Sequence, residues 1–87
     1  MPGASRVGVD TAGGIISGPG SSSVKVNGAT VSVLGDSVVN HGTSPHNAAT
    51  MVAGSSSVFA GGVSIVRSGD AASCGHIATG STNVLVG

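Results

Sequence analysis

The chain has 87 residues, 39% of them apolar, yet it contains one aromatic, Phe59, and no Trp or Tyr, so large buried anchors are missing and the core must be thin. Arg6, Lys25 and Arg67 balance Asp10, Asp36 and Asp70, and there is no Glu; this excludes the basic stripe with interleaved aromatics that nucleic-acid binding requires. So sparsely charged a chain is expected to have much of its surface covered by a partner.

Sixteen Gly, with abundant Ser and Val, disfavour helix almost everywhere, because Gly costs about 1 kcal/mol per helical position and β-branched side chains lose rotamer freedom there. An all-β fold is therefore expected. Domains this small with weak cores need a disulfide, a metal or a partner, and a single cysteine rules out an internal disulfide.

In chain order, Met1 to Arg6 runs into Val7–Asp10 without a long apolar stretch. This predicts neither a signal peptide nor a membrane span, and synthesis in the cytoplasm, where Cys74 stays reduced. The first hairpin is predicted from Ser23-Val24-Lys25-Val26 and Ala29-Thr30-Val31-Ser32-Val33 around Asn27-Gly28. The flanks alternate with period two, the pattern of half-buried strands, and Asn-Gly accommodates positive φ at both turn positions. Gly35-Asp36 closes this unit, and a longer connection, Ser37 to Met51, carries His41 and His46.

The second unit repeats the first: Gly54-Ser55-Ser56-Ser57-Val58 matches Gly20-Ser21-Ser22-Ser23-Val24, Gly61-Gly62 stands for Asn27-Gly28, Ile65 for Val31 and Gly69-Asp70 for Gly35-Asp36. Cys74 and His76 follow. A third copy, Gly80-Ser81-Thr82-Asn83-Val84, runs to a turn glycine at Gly87. Its return half is found at the amino terminus, where Arg6-Val7-Gly8-Val9-Asp10 resembles Arg67-Ser68-Gly69-Asp70 with one residue inserted. The expectation is one domain over 1–87, with repeats at about 17–42, 52–76 and 77–87 completed by 1–14. Three hairpins suggest a pseudo-threefold body.

Every His and Cys falls in the two clusters after Gly-Asp: His41 with His46, and Cys74 with His76. Three imidazoles and one thiolate make a full tetrahedral set for zinc, with iron second, and four protein ligands leave no open position, which marks a structural site. In an extended segment Cys74 and His76 point to one side.

The Gly-Ser-x-x-Val strands, the Asn-Gly turn and the recurring Gly-Asp followed by Cys or His resemble PAAR-repeat proteins across nearly the whole chain. The Pro-Ala-Ala-Arg tetrapeptide itself is absent; its places hold Thr30-Val31-Ser32-Val33 and Ser64-Ile65-Val66-Arg67, with Arg6 the amino-terminal counterpart of Arg67. The family often places a histidine after the first Asp-containing turn, whereas this chain reads Asp10-Thr11-Ala12-Gly13-Gly14, so His76 is expected to supply the fourth ligand.

The resemblance implies a small cone of short β-hairpins, metal-stapled near its point, that caps the blunt end of a trimeric β-helical spike, one tip per trimer. Such tips sharpen the spikes of phage tails and type VI secretion systems and touch the target membrane transiently. A bare tip without an extension is expected. Val24, Val26, Val58, Ile65, Val84 and Val86, at corresponding repeat positions, are expected at or near the spike-facing base.

Two other readings compete. A self-assembling β-repeat protein of the surface or ice-binding type would explain the Gly/Ser/Val composition, but the rungs are few and unequal in length. A zinc hydrolase or a Cys74–His76 nucleophile pair would need a carboxylate base, and each Asp sits in a turn-like context where capping explains it. No catalytic residue and no small-molecule substrate is expected.

Overall fold

The computed structural model describes residues 2–43 and 46–86, and all described structure is strand, bridge and turn, with no helix. Gly87, read above as the third turn glycine, and Met1 lie outside the described residues. The strands are β1 (Thr11–Ala12), β2 (Gly14–Gly18), β3 (Lys25–Val26), β4 (Ala29–Thr30), β5 (Ser37–Val38), β6 (Phe59–Ala60) and β7 (Val63–Ser64). β1, β2 and β5 form one antiparallel sheet in that order, with a register shift between Ile16 and Gly18.

Both hairpins form where the turn chemistry requires them. β3 pairs with β4 through Lys25–Thr30 and Val26–Ala29, and β6 with β7 through Phe59–Ser64 and Ala60–Val63. Asn27 and Gly28 have φ of 53° and 82°, and Gly61 and Gly62 60° and 82°, so each loop carries the two positive φ angles of a type I′ turn, whose twist matches the strands it joins. A third pair comes from opposite ends of the chain: Leu85 bridges Gly3, and the Val86 N–H donates to the Pro2 carbonyl.

Three extended segments, 4–6, 31–33 and 65–67, hold the molecule together. Ala4 bridges Arg67, Arg6 bridges Val31 and Val33 bridges Ile65, so each segment joins the other two. Within this triangle Ser5 N–H donates to Val66 C=O, Val66 N–H to Ser32 C=O and Ser32 N–H to Ser5 C=O, each at 2.9 Å, closing a ring of three backbone hydrogen bonds. Period two sends Ser5, Ser32 and Val66 to one side of the ring and Ala4, Val31, Val33 and Ile65 to the other. Both sides are buried. Ser32, which a half-buried strand would turn to solvent, is fully enclosed, because other repeats pack on both faces of its segment.

The core is accordingly divided. One cluster contains Ala12, Ile16, Val38, Ala49, Met51, Val66, Ala72 and Ala78; the other contains Ala4, Val26, Val31, Val33, Ala60 and Ile65. Serines serve as local staples between them and the surface. The Oγ of Ser21 accepts from the N–H groups of Ser23 and Val24, that of Ser55 from Ser57 and Val58, and that of Ser81 from Asn83 and Val84.

The aspartates fold back on the residue that opens each Gly-containing turn. Asp10 accepts from the Arg6 N–H and guanidinium, Asp70 does the same with Arg67, and Asp36 accepts from the Val33 N–H. Turn capping, inferred above for all three, is thus what their carboxylates do.

Candidate metal centre

Both donor pairs are carried by tight turns that leave the ring on the side of the alanine-rich cluster. After β5, the His41 N–H donates to His46 C=O at 3.1 Å and the His46 N–H to Thr43 C=O at 2.7 Å, which folds the second histidine back over the first. On the other arm, Ala72 N–H donates to His76 C=O and Gly75 N–H to Ala72 C=O, while Met51 bridges Ala72 and ties the two arms together. Gly75, at φ +94°, lets this turn close. Cys74 and His76 therefore meet through a turn; the extended segment expected from their spacing is not what joins them.

The four side chains converge. One potential ligand atom from each of His41, His46, Cys74 and His76 lies within 4.8 Å of all the others. His41 Nε2 is 3.2 Å from His46 Nδ1 and 3.5 Å from Cys74 Sγ, and the three imidazole centroids are 5.0–5.1 Å apart. With bonds of about 2.0–2.1 Å to nitrogen and about 2.3 Å to sulfur, a tetrahedral zinc has edges of about 3.3 Å between nitrogens and about 3.6 Å from nitrogen to sulfur. Both separations match those edges.

The surroundings also prepare the donors. His41 Nδ1 lies 2.9 Å from the Val39 carbonyl, which can only accept, so Nδ1 carries the proton and Nε2 presents its lone pair to the cluster. Cys74 packs against the alanine-rich core, His41 and His46 are half-buried, and His76 is exposed. The chemistry of this donor set fits a thiophilic, borderline-soft ion. No Asp joins it.

Two residues that the sequence reading left without a role border the centre. The Gly13-Gly14 turn packs against it so closely that a Cβ on Gly13 would stand 2.6 Å from His41 Nε2, and one on Gly14 would stand 2.9 Å from His41 Nδ1. The signal for this was present in the sequence, since Gly13-Gly14 follows Asp10 where the related turns lead to the His and Cys donors.

On the opposite side of the ring, Val24, Val26, Val58, Ile65, Val84 and Val86 all fall in the second cluster. Val26 and Ile65 are buried members, and the other four are half-buried at its margin. Ala60, Val31 and Ala4 belong to the same layer, as the repeat counterparts of Val26 and Ile65. Their positions follow from the same repeat register.

The sequence matches the PAAR motif over residues 9–76. No curated protein matches it. A match over most of the chain, an all-β body built from short antiparallel pairs and a His/Cys cluster suited to a metal agree with one another: the chain belongs to the PAAR-motif family, whose members are structural spike tips of contractile injection and type VI secretion systems.

Proposed function

We propose that this protein caps a trimeric β-helical spike, one copy per trimer, and sharpens it for piercing a target envelope, with His41, His46, Cys74 and His76 binding one structural zinc. The observation that carries the reading is the division of the molecule by its ring of hydrogen bonds. The donor cluster lies on one side, and a layer of valines from all three hairpin units lies on the other.

The repeats, at about 17–42, 52–76 and 77–87 completed by 1–14, then match a threefold partner unit by unit. Val24, Val58 and Val84, each beside the staple of Ser21, Ser55 or Ser81, present three similar half-buried contacts to three spike chains. Docking covers the open edges of β3–β4 and β6–β7, which are otherwise templates for aggregation. At the other end the metal replaces the core that a narrow tip has no room for. This reading calls for no catalysis: the donor set is three imidazoles and one thiol, and the three aspartates are engaged in turns.

Val24→Asp, Val58→Asp and Val84→Asp, singly and together, test the docking face in a pull-down with the spike protein, with zinc per chain measured on the same samples. Lost capture with one zinc per chain retained is the expected result. Capture that survives the triple substitution, in folded protein, refutes the assigned face.

A further inference from the structure

Three arms leave the ring after Asp10, Asp36 and Asp70, and all three reach the donor cluster. The second arm brings His41 and His46 and the third brings Cys74 and His76, but the first brings only the backbone of Gly13 and Gly14. Resting on the metal reading above, we infer that Gly13, by lacking a side chain, is the residue that lets the centre close: the first arm supplies a wall of bare backbone, and the space its side chain would fill is taken by the rings of His41 and His76.

The geometry is specific. A Cβ on Gly13 would lie 2.6 Å from His41 Nε2, the atom that faces the other donors, and 2.7 Å from His76 Cγ, with His76 Cδ2 nearer still. Side-chain carbons do not approach neighbours so closely, so one ring or both must move, and His76, exposed and held by a single short turn, has the least packing to resist displacement. The penalty differs from ordinary backbone strain. Gly13 has φ +86°, but Gly69, at φ +93° in the turn before Asp70, has nothing within 4 Å of its virtual Cβ. Alanine at either position meets the same unfavourable φ, and only at Gly13 does it meet the donors.

Gly14 offers a second, independent probe. It lacks a positive φ, and its virtual Cβ meets the Val39 backbone carbonyl oxygen first and then His41 Nδ1 at 2.9 Å, the two atoms of the contact that anchors the ring. Displacing that anchor acts on the donor through its supporting hydrogen bond, the class of change that weakens metal affinity by about 10–100-fold.

The test compares wild type, Gly13→Ala and Gly69→Ala as full chains, by zinc retention against a chromogenic chelator and by the absorption of the cobalt(II)-substituted protein. Gly13→Ala is expected to hold zinc about 10–100-fold more weakly than Gly69→Ala, with weaker cobalt d–d bands as tetrahedral ligation is lost. Should Gly13→Ala fail to fold, Gly14→Ala carries the comparison, with the same loss expected. Equal zinc retention and equal cobalt spectra in the variants and Gly69→Ala overturn the inference while leaving the metal reading intact. Wild-type protein that takes up neither metal overturns both.

Discussion

Three aspartates with one local job differ in what supports them, and this makes their contributions separable. Burial pushes the Asp10 carboxyl up, but hydrogen bonds from the Arg6 guanidinium, Thr79 Oγ1 and the Arg6 N–H, with the charge of Arg6, outweigh it and hold the group below its ordinary value. The unfolded chain therefore takes up this proton first. The stability Asp10 contributes is complete above the ordinary carboxylate value of about 3.9 and is lost as pH falls through the lower folded value. Thermal melts of wild type and Asp10→Asn across pH 5 to 2.5 should show the wild type losing its advantage over the variant in that window; parallel curves would rule the linkage out. Asp36 has no arginine, because Val33 stands where the other turns have Arg6 and Arg67. Its buried carboxylate instead accepts from Gly20 N–H, Ser32 Oγ–H and Val33 N–H at 2.8–3.0 Å. Asp36→Ala leaves those donors unsatisfied beside the ring and should cost about 2–4 kcal/mol in urea unfolding, with Asp36→Asn costing less.

Among the elements, the hairpins depend on their turns more than on strand length, since each strand pair has only two residues a side. Gly28 has φ +82° and open space around its virtual Cβ, so Gly28→Val introduces backbone strain with no neighbour in the way of its Cβ. It should destabilise the fold by about 1–3 kcal/mol while leaving metal content unchanged, because the hairpin belongs to the cluster on the far side of the ring. Melting with parallel elemental analysis checks both halves. The hairpins were legible because Asn27-Gly28 and Gly61-Gly62 stand between β-branched runs, a local signal that local geometry obeys. The His/Cys cluster was legible because the chain has no other His or Cys. The closed ring was not, because an alternating pattern at 31–33 tells which residues share a face but not that both faces are covered by distant repeats. The turn that joins Cys74 to His76 was missed for a similar reason, since spacing alone cannot distinguish a strand from a turn opened by Gly75. The place of Gly13 beside the centre was legible from its position after Asp10, but how closely the rings of His41 and His76 pack on its bare Cα was not.

The whole molecule has a radius of gyration of 11.2 Å, against about 12 Å typical for its length, although its largest fully buried side chains are only Ile16, Met51, Val31 and Val66, followed by serines. Compactness here comes from backbone hydrogen bonds around the ring more than from bulky packing. The two sides of the ring are unequally supplied. The layer away from the donors is mostly valine and isoleucine, whereas four of the eight residues in the donor-side cluster are alanine, each burying little apolar area. Metal ligation at the donor cluster, as proposed, would add to the weaker side; in small zinc peptides it supplies roughly 10 kcal/mol or more of folding free energy. Stripping the metal should therefore act unevenly. Hydrogen exchange read by mass spectrometry, with and without chelator, should show protection lost first in β5 and in the segments around Met51, Ala72 and Ala78. The amides of β3–β4, β6–β7 and the ring at Ser5, Ser32 and Val66 should exchange later. Simultaneous loss everywhere would mean that the ring transmits the metal's contribution to both clusters, and that the protein unfolds as a single unit once the donor cluster is stripped.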